Sequence, residues 1–146
     1  MKRITEYRKL FGITQDADLA QLKTIYRDLM KETHPDKFLE DGLKAEAEIK
    51  SKHIIGAYHF LVSLSPQTHL QNKEEYSNAI NSGIADYEYK GQLLKVTFQN
   101  GSKYEYFGVT KNIYNKLINS STQTRFAKRH IFESFSYRKA GNANPI

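Results

Sequence analysis

Two different periods of apolar and polar residues run through this chain. Up to about residue 80 the apolar positions recur at helical spacing. Tyr7 to Phe11 form a short helix or turn that ends near Gly12. Asp16 and Asp18 are candidate caps for the next helix. In it Leu19, Leu22, Tyr26 and Leu29 fall at i, i+3, i+7 and i+10, one stripe of a helical surface. That helix must stop before Pro35, because a residue that precedes proline is pushed out of helical angles. A loop spans Asp36 to Gly42. A second long helix follows from about Leu43 to Leu64, with Leu43, Ala47, Ile54, Ala57, Tyr58 and Leu61 on its apolar face. Two long helices joined by a short loop pack antiparallel. Pro66 opens a further polar helix to about Ile80, with Leu70 and Tyr76 able to dock. Asn81-Ser82-Gly83 breaks the pattern and marks the expected domain boundary.

Beyond that break the period shortens to two. Leu94, Val96 and Phe98 alternate with Lys95, Thr97 and Gln99, the signature of a half-buried strand. Asn100-Gly101 is a strong hairpin signal, and Tyr104 and Tyr106 alternate with Lys103 and Glu105 on the partner strand. Ile84 to Tyr89 supplies a first strand, turned by Lys90-Gly91. Thr110 caps a helix carrying Ile113, Tyr114, Leu117 and Ile118, and a last helical segment runs through Phe126, Ile131 and Phe132. The expected fold class is α+β. Residues 1–82 form an all-α unit built on an antiparallel helical hairpin with short flanking helices. Residues 83–139 form a three-stranded antiparallel meander followed by helices, and 140–146 a disordered tail.

Charge supports two modules. The net charge is +6, yet residues 1–82 carry 12 basic and 12 acidic side chains. Residues 83–146 carry 10 basic and 4 acidic ones, so the whole excess lies in the second half. At 146 residues with 39% hydrophobic content, any cores must be small. The absence of cysteine excludes disulfides and thiolate chemistry. No apolar run approaches the ~20 residues of a membrane span, and Met1-Lys2-Arg3 leads into no apolar signal core. A cytoplasmic protein without membrane contact is expected.

The residues that carry chemistry lie at the turn of the hairpin. His34-Pro35-Asp36 sits between the two long helices and Lys37 follows it. As a bare tripeptide it is a weak signal; its position gives it weight. Pro35 fixes its own φ and restricts His34, so the loop is preorganised. Asp36 is an acceptor for a partner's arginine, and His34 can donate or accept. Lys23, Arg27 and Lys31 recur at i, i+4 and i+8, a basic stripe beside Tyr26 suited to an acidic partner surface. The plain alternatives are a tight turn and a solvated helix face.

Taken with Tyr7-Arg8-Lys9-Leu10-Phe11 upstream and Ala57-Tyr58-His59-Phe60-Leu61 downstream, roughly residues 4–78 resemble the J domain of the DnaJ family. The resemblance implies a co-chaperone that docks on the ATP-bound state of a DnaK-type (heat-shock 70 kDa class) chaperone and promotes its ATP hydrolysis. It implies that His34, Pro35, Asp36, Lys23, Tyr26, Arg27, Lys31 and Lys37 make the contact. Two departures stand out. Asp28 and Glu32 occupy positions where this helix is usually more basic, which implies docking that is either weaker or tuned to one particular partner. Ser51 replaces a usual phenylalanine, which is expected to loosen the core.

Residues 86–137 resemble the KTSC family, through Leu94-Lys95-Val96-Thr97-Phe98, Asn100-Gly101-Ser102-Lys103-Tyr104-Glu105-Tyr106-Phe107-Gly108-Val109 and Phe126-Ala127-Lys128-Arg129-His130-Ile131. Thr110 stands where that family has proline. Little function transfers, and a role in client selection is the main expectation. The alternative is an RNA-associated adaptor in which Arg125, Lys128, Arg129, Arg138 and Lys139 contact phosphates while neighbouring aromatics stack on bases. Against it stands the simpler reading of aromatics as core and cations as solvated face. Paired carboxylates, metal-ligand spacing and a phosphate-binding glycine loop are missing from the sequence, so no enzyme, metal or cofactor is expected.

Overall fold

A computed structural model of the chain describes residues 2–14 and 17–140. The described chain divides into two compact units, Lys2–Thr68 and His69 onward. No helix among the described residues is long and apolar enough to cross a membrane.

The first unit contains α1 (Lys2–Phe11), α2 (Leu19–Thr33), a 3₁₀ turn (Pro35–Lys37) and α3 (Asp41–Leu64), with α4 (Pro66–Gln71) crossing the division. Gly12 stops α1. Its φ of +64° admits a left-handed residue, and the Gly12 and Ile13 amides return to the Lys9 and Arg8 carbonyls. Asp18 starts α2 through a capping box. Its carboxylate accepts from the Gln21 amide at 2.8 Å, while the Gln21 side chain accepts from the Asp18 amide at 2.9 Å. The other candidate cap, Asp16, lies outside the described residues.

The apolar stripes meet as their spacing requires. Phe11, Leu22, Ile54, Ala57 and Leu61 are buried together, ringed by Tyr7, Leu19, Tyr26, Leu29 and Tyr58. Tyr26 stacks on Tyr58 with ring centroids 4.2 Å apart. Leu43 departs from the expected apolar face and is exposed, as is Ile49. The reason is length. At about 1.5 Å per residue, the 24-residue α3 overshoots the 15-residue α2.

The second unit contains α5 (Lys73–Ser82), β1 (Ile84–Lys90), β2 (Leu93–Phe98), β3 (Lys103–Phe107), α6 (Lys111–Ile118), α7 (Gln123–His130) and β4 (Ser136–Ala140). The sheet has four strands, not three, in the order β1-β2-β3-β4 with every pairing antiparallel. The strand missed in the sequence reading is β4, which includes Ala140; the rest of the expected tail lies outside the described residues. An edge strand needs no continuous apolar face, and charge along an edge discourages further pairing, so Ser136-Tyr137-Arg138-Lys139 gives little period-2 signal. The last helix ends at His130. Ile131 and Phe132, expected within it, lie buried in the turn that follows, with both amides bonded to the Ala127 carbonyl at 2.8 Å.

The unit also begins earlier than Gly83. The helix expected from Pro66 to Ile80 breaks at Asn72, and its second part joins the sheet. Tyr76 and Ala79 are buried with Leu94, Val96, Phe98, Tyr104 and Tyr106. Tyr137 is stacked between His69 (3.9 Å) and Tyr76 (4.2 Å). The Tyr76 hydroxyl lies 2.5 Å from the Phe132 carbonyl and 3.0 Å from the Tyr106 hydroxyl. A carbonyl can only accept, so Tyr76 gives its single proton there and Tyr106 must donate to Tyr76. Burial holds both hydroxyls far above the ordinary tyrosine range. It also pushes Tyr104 and Tyr137 up to about 12, helped by the charges of Glu75 and Glu133 respectively.

Two consequences follow from this cluster. Tyr76→Phe strands the buried Phe132 carbonyl, and is expected to destabilise the second unit by about 2 kcal/mol in urea unfolding followed by tyrosine near-ultraviolet circular dichroism. A tyrosine whose folded pKa is raised leaves stability untouched below its unfolded value near 10. Above that value the unfolded chain ionises first and stability falls. The second unit is therefore expected to lose stability between pH 10 and about 12, as tyrosinate absorbance and unfolding midpoints measured across that range would show.

Candidate functional site

Each end of α2 is held by a side chain from elsewhere in the first unit. At its start, the Leu19 amide donates to Gln67 Oε1 at 2.7 Å. At its end, Ser51 Oγ donates to the Thr33 carbonyl at 2.9 Å, and Thr33 Oγ1 donates to the Leu29 carbonyl at 2.9 Å. Ser51 is buried. The position expected to loosen the core therefore holds a polar tie to the helix end.

His34 has two structural duties. With φ −62° and ψ 131° it leaves the helix, and it caps the 3₁₀ turn that Pro35 opens. Its Nδ1 accepts from the Asp36 amide at 3.2 Å, which requires that nitrogen to be unprotonated and leaves Nε2–H directed elsewhere. The same Nδ1 lies 3.5 Å from Asp36 Oδ2. A neutral ring thus caps the backbone, whereas a protonated ring would give up that cap and pair with the carboxylate. The Lys37 amide returns to the His34 carbonyl and the Phe38 amide to the Pro35 carbonyl, both at 3.1 Å.

Beside this turn lies an open cleft lined by Tyr26, Arg27, Met30, Lys31, His34, Asp36 and Lys37. Tyr26 and Met30 supply apolar surface, and Arg27, Lys31 and Lys37 ring it with positive charge. Of the residues singled out from sequence, Tyr26, Arg27, Lys31, His34, Asp36 and Lys37 converge here. Lys23 stands one turn further along α2, exposed, and Pro35 shapes the turn without lining the cleft. Sequence reasoning passed over Met30. Its spacing of four from Tyr26 was the available signal. The arrangement can seat an apolar side chain flanked by carboxylates, and Asp36, whose side chain is 83% exposed, can meet a cation.

The cations of the second unit do not form one patch. Arg125, Lys128 and Arg129 share the exposed face of α7, opposite buried Ala127. Lys128 also donates to Asn81 Oδ1 at 3.0 Å. Arg138 and Lys139 are successive residues of β4 and point to opposite sheet faces, where Arg138 pairs with Glu105 and Lys139 with Glu75. Arg138 completes a cross-strand row of alternating charge, Glu88-Lys95-Glu105-Arg138. The aromatics meant for base stacking are spent in the core: Tyr104, Tyr106, Phe107 and Phe132 are buried, and Phe135 and Tyr137 partly so.

Comparison with known proteins agrees with this division. Residues 6–69 match the DnaJ domain and residues 77–135 the KTSC domain. The chain therefore carries a J domain, with a KTSC domain after it. The DnaJ protein homolog XDJ1 of Saccharomyces cerevisiae is 35% identical over 77 residues, which cover 53% of this chain and 17% of that protein. The co-chaperone protein DjlA of Vibrio vulnificus is 40% identical over 63 residues, or 40% of this chain and 22% of DjlA. The chaperone protein DnaJ of Hydrogenobacter thermophilus is 32% identical over 80 residues, 55% of this chain and 20% of DnaJ. The chain thus spans about a fifth of the length of these relatives.

Proposed function

We propose that this protein is a J-domain co-chaperone that stimulates ATP hydrolysis by a DnaK-type chaperone, while its KTSC domain selects or positions a client. The observation that carries the reading is the His34-Pro35-Asp36 turn, capped by its own His34 side chain beside a basic, apolar-floored cleft. Asp36 offers a carboxylate for an arginine of the ATPase, an ionic hydrogen bond of the stronger kind. Lys23, Arg27, Lys31 and Lys37 face an acidic surface, where such charges chiefly set on-rate and orientation. In this reading the chain makes and breaks no covalent bond; it lowers a barrier on its partner by binding. A cytoplasmic setting belongs to the same proposal.

The test is single-turnover ATP hydrolysis by a DnaK-type chaperone with and without the full chain. His34→Gln is the informative variant, because glutamine keeps a side-chain acceptor for the Asp36 amide while removing the imidazole. The chain is expected to accelerate hydrolysis, and His34→Gln to return the rate to that of the chaperone alone. Equal stimulation by both would remove the turn from the mechanism.

A second reading rests on the three exposed cations along one face of α7. It makes the protein an adaptor that binds RNA through Arg125, Lys128 and Arg129. Because Arg138 and Lys139 are paired with carboxylates, at most about three phosphates would be neutralised. The logarithm of affinity for single-stranded RNA should then fall against the logarithm of salt with a slope of about −2. A gel shift whose intensity ignores salt would end this reading. The full chain is the right material, since a fragment beginning at Gly83 would lack Tyr76.

A further inference from the structure

The end of α2 poses a problem of hydrogen bonding. The last carbonyls of a helix have no partner within it. At α1 the chain solves this with backbone, through the Gly12 and Ile13 amides. At α2 that solution is closed, because the residue that would donate after the His34 cap is Pro35, which has no N–H. Thr33 Oγ1 donates at 2.9 Å to the Leu29 carbonyl, which lies inside the helix's own ladder, whereas the Thr33 carbonyl, one of the last four, accepts from Ser51 Oγ of α3 at 2.9 Å.

The second of these bonds bears on function. The Thr33 carbonyl belongs to the peptide plane that joins Thr33 to His34. Holding that oxygen sets the direction in which His34 leaves the helix, and with it the start of the 3₁₀ turn. We propose that Ser51 is a positioning residue for the His34-Pro35-Asp36 turn: it pins the Thr33–His34 peptide plane and so preorganises the turn for its partner. It touches neither the cleft nor the partner. Its contribution is to reduce the number of conformations the turn must give up on docking, which strengthens binding without altering the chemistry of the bound state.

This inference rests on the co-chaperone reading for its consequence, yet its physical core can be tested without it. In the full chain, Ser51→Ala removes the hydroxyl and Ser51→Thr retains it. Hydrogen exchange at the Lys37 and Phe38 amides, which close the 3₁₀ turn, reports the turn's order. Ser51→Ala is expected to speed exchange at both about fivefold, the worth of one ordinary hydrogen bond, and to leave the Leu61 amide in the core unchanged. Ser51→Thr should restore the slower exchange. In the ATPase assay, Ser51→Ala should raise the concentration giving half-maximal stimulation about fivefold while keeping the maximal rate. Unchanged turn amides in Ser51→Ala, or equal acceleration at Leu61, would overturn the proposal. If the wild-type chain fails to stimulate any DnaK-type ATPase, the co-chaperone reading falls, and the exchange comparison alone decides what Ser51 does.

Discussion

Proline 35 is the constraint on which the first unit turns. It stops α2, because its ring excludes helical angles from the residue before it. It opens the 3₁₀ turn, because its fixed φ suits a first helical position. And it deprives the end of α2 of a backbone donor. The end of α2 also takes a donor from across the unit, the Ser51 hydroxyl on the Thr33 carbonyl. A rigid turn between two helices is then presented beside Tyr26, Met30 and the cations of α2. On the proposed co-chaperone reading, recognition rests on restricted backbone rather than on a deep cavity, and the turn has little conformational entropy to lose on binding.

The second unit solves a different problem. Four strands bury one face beneath helices, and the core is unusually rich in tyrosine. Each buried hydroxyl must be satisfied or it costs free energy. The relay from Tyr106 through Tyr76 to the Phe132 carbonyl satisfies two hydroxyls and one carbonyl of the turn after α7. It also decides which residues belong to the unit. α5 is part of the sheet domain because its Tyr76 is the middle member of that relay. On the sheet's other face, charges of alternating sign stand in register across the strands, and Arg138 pairs with Glu105. A net charge that reads as a single basic tract in sequence thus becomes an exposed α7 face and two separate ion pairs.

Much of this was legible beforehand because local physics decides it. The apolar stripes of α2 and α3, the proline stop, the Asn100-Gly101 hairpin and the alternating β2 and β3 depend on neighbours within a few residues. The J-domain and KTSC resemblances rest on the same short patterns. The misses share a cause in long-range pairing. β4 is an edge strand whose pattern is mostly polar, so its partner β3 identifies it and its own residues do not. The α5 boundary depends on a hydroxyl network reaching from Tyr76 to Phe132. Ser51 looked like a defect in a core because nothing in its surroundings along the chain announces the Thr33 carbonyl it meets.

The sequence by itself determined the elements that have a period, the place where the hairpin turns, and the chemistry offered at His34, Pro35 and Asp36. These follow from backbone restriction and from apolar spacing, which are properties of adjacent residues. Only the tertiary structure decided which cations stay exposed, where the second unit begins, and what holds the turn. Those outcomes depend on which donor meets which acceptor across the fold. Burial makes every such meeting consequential, since a polar group removed from water must find a partner wherever the chain brings one.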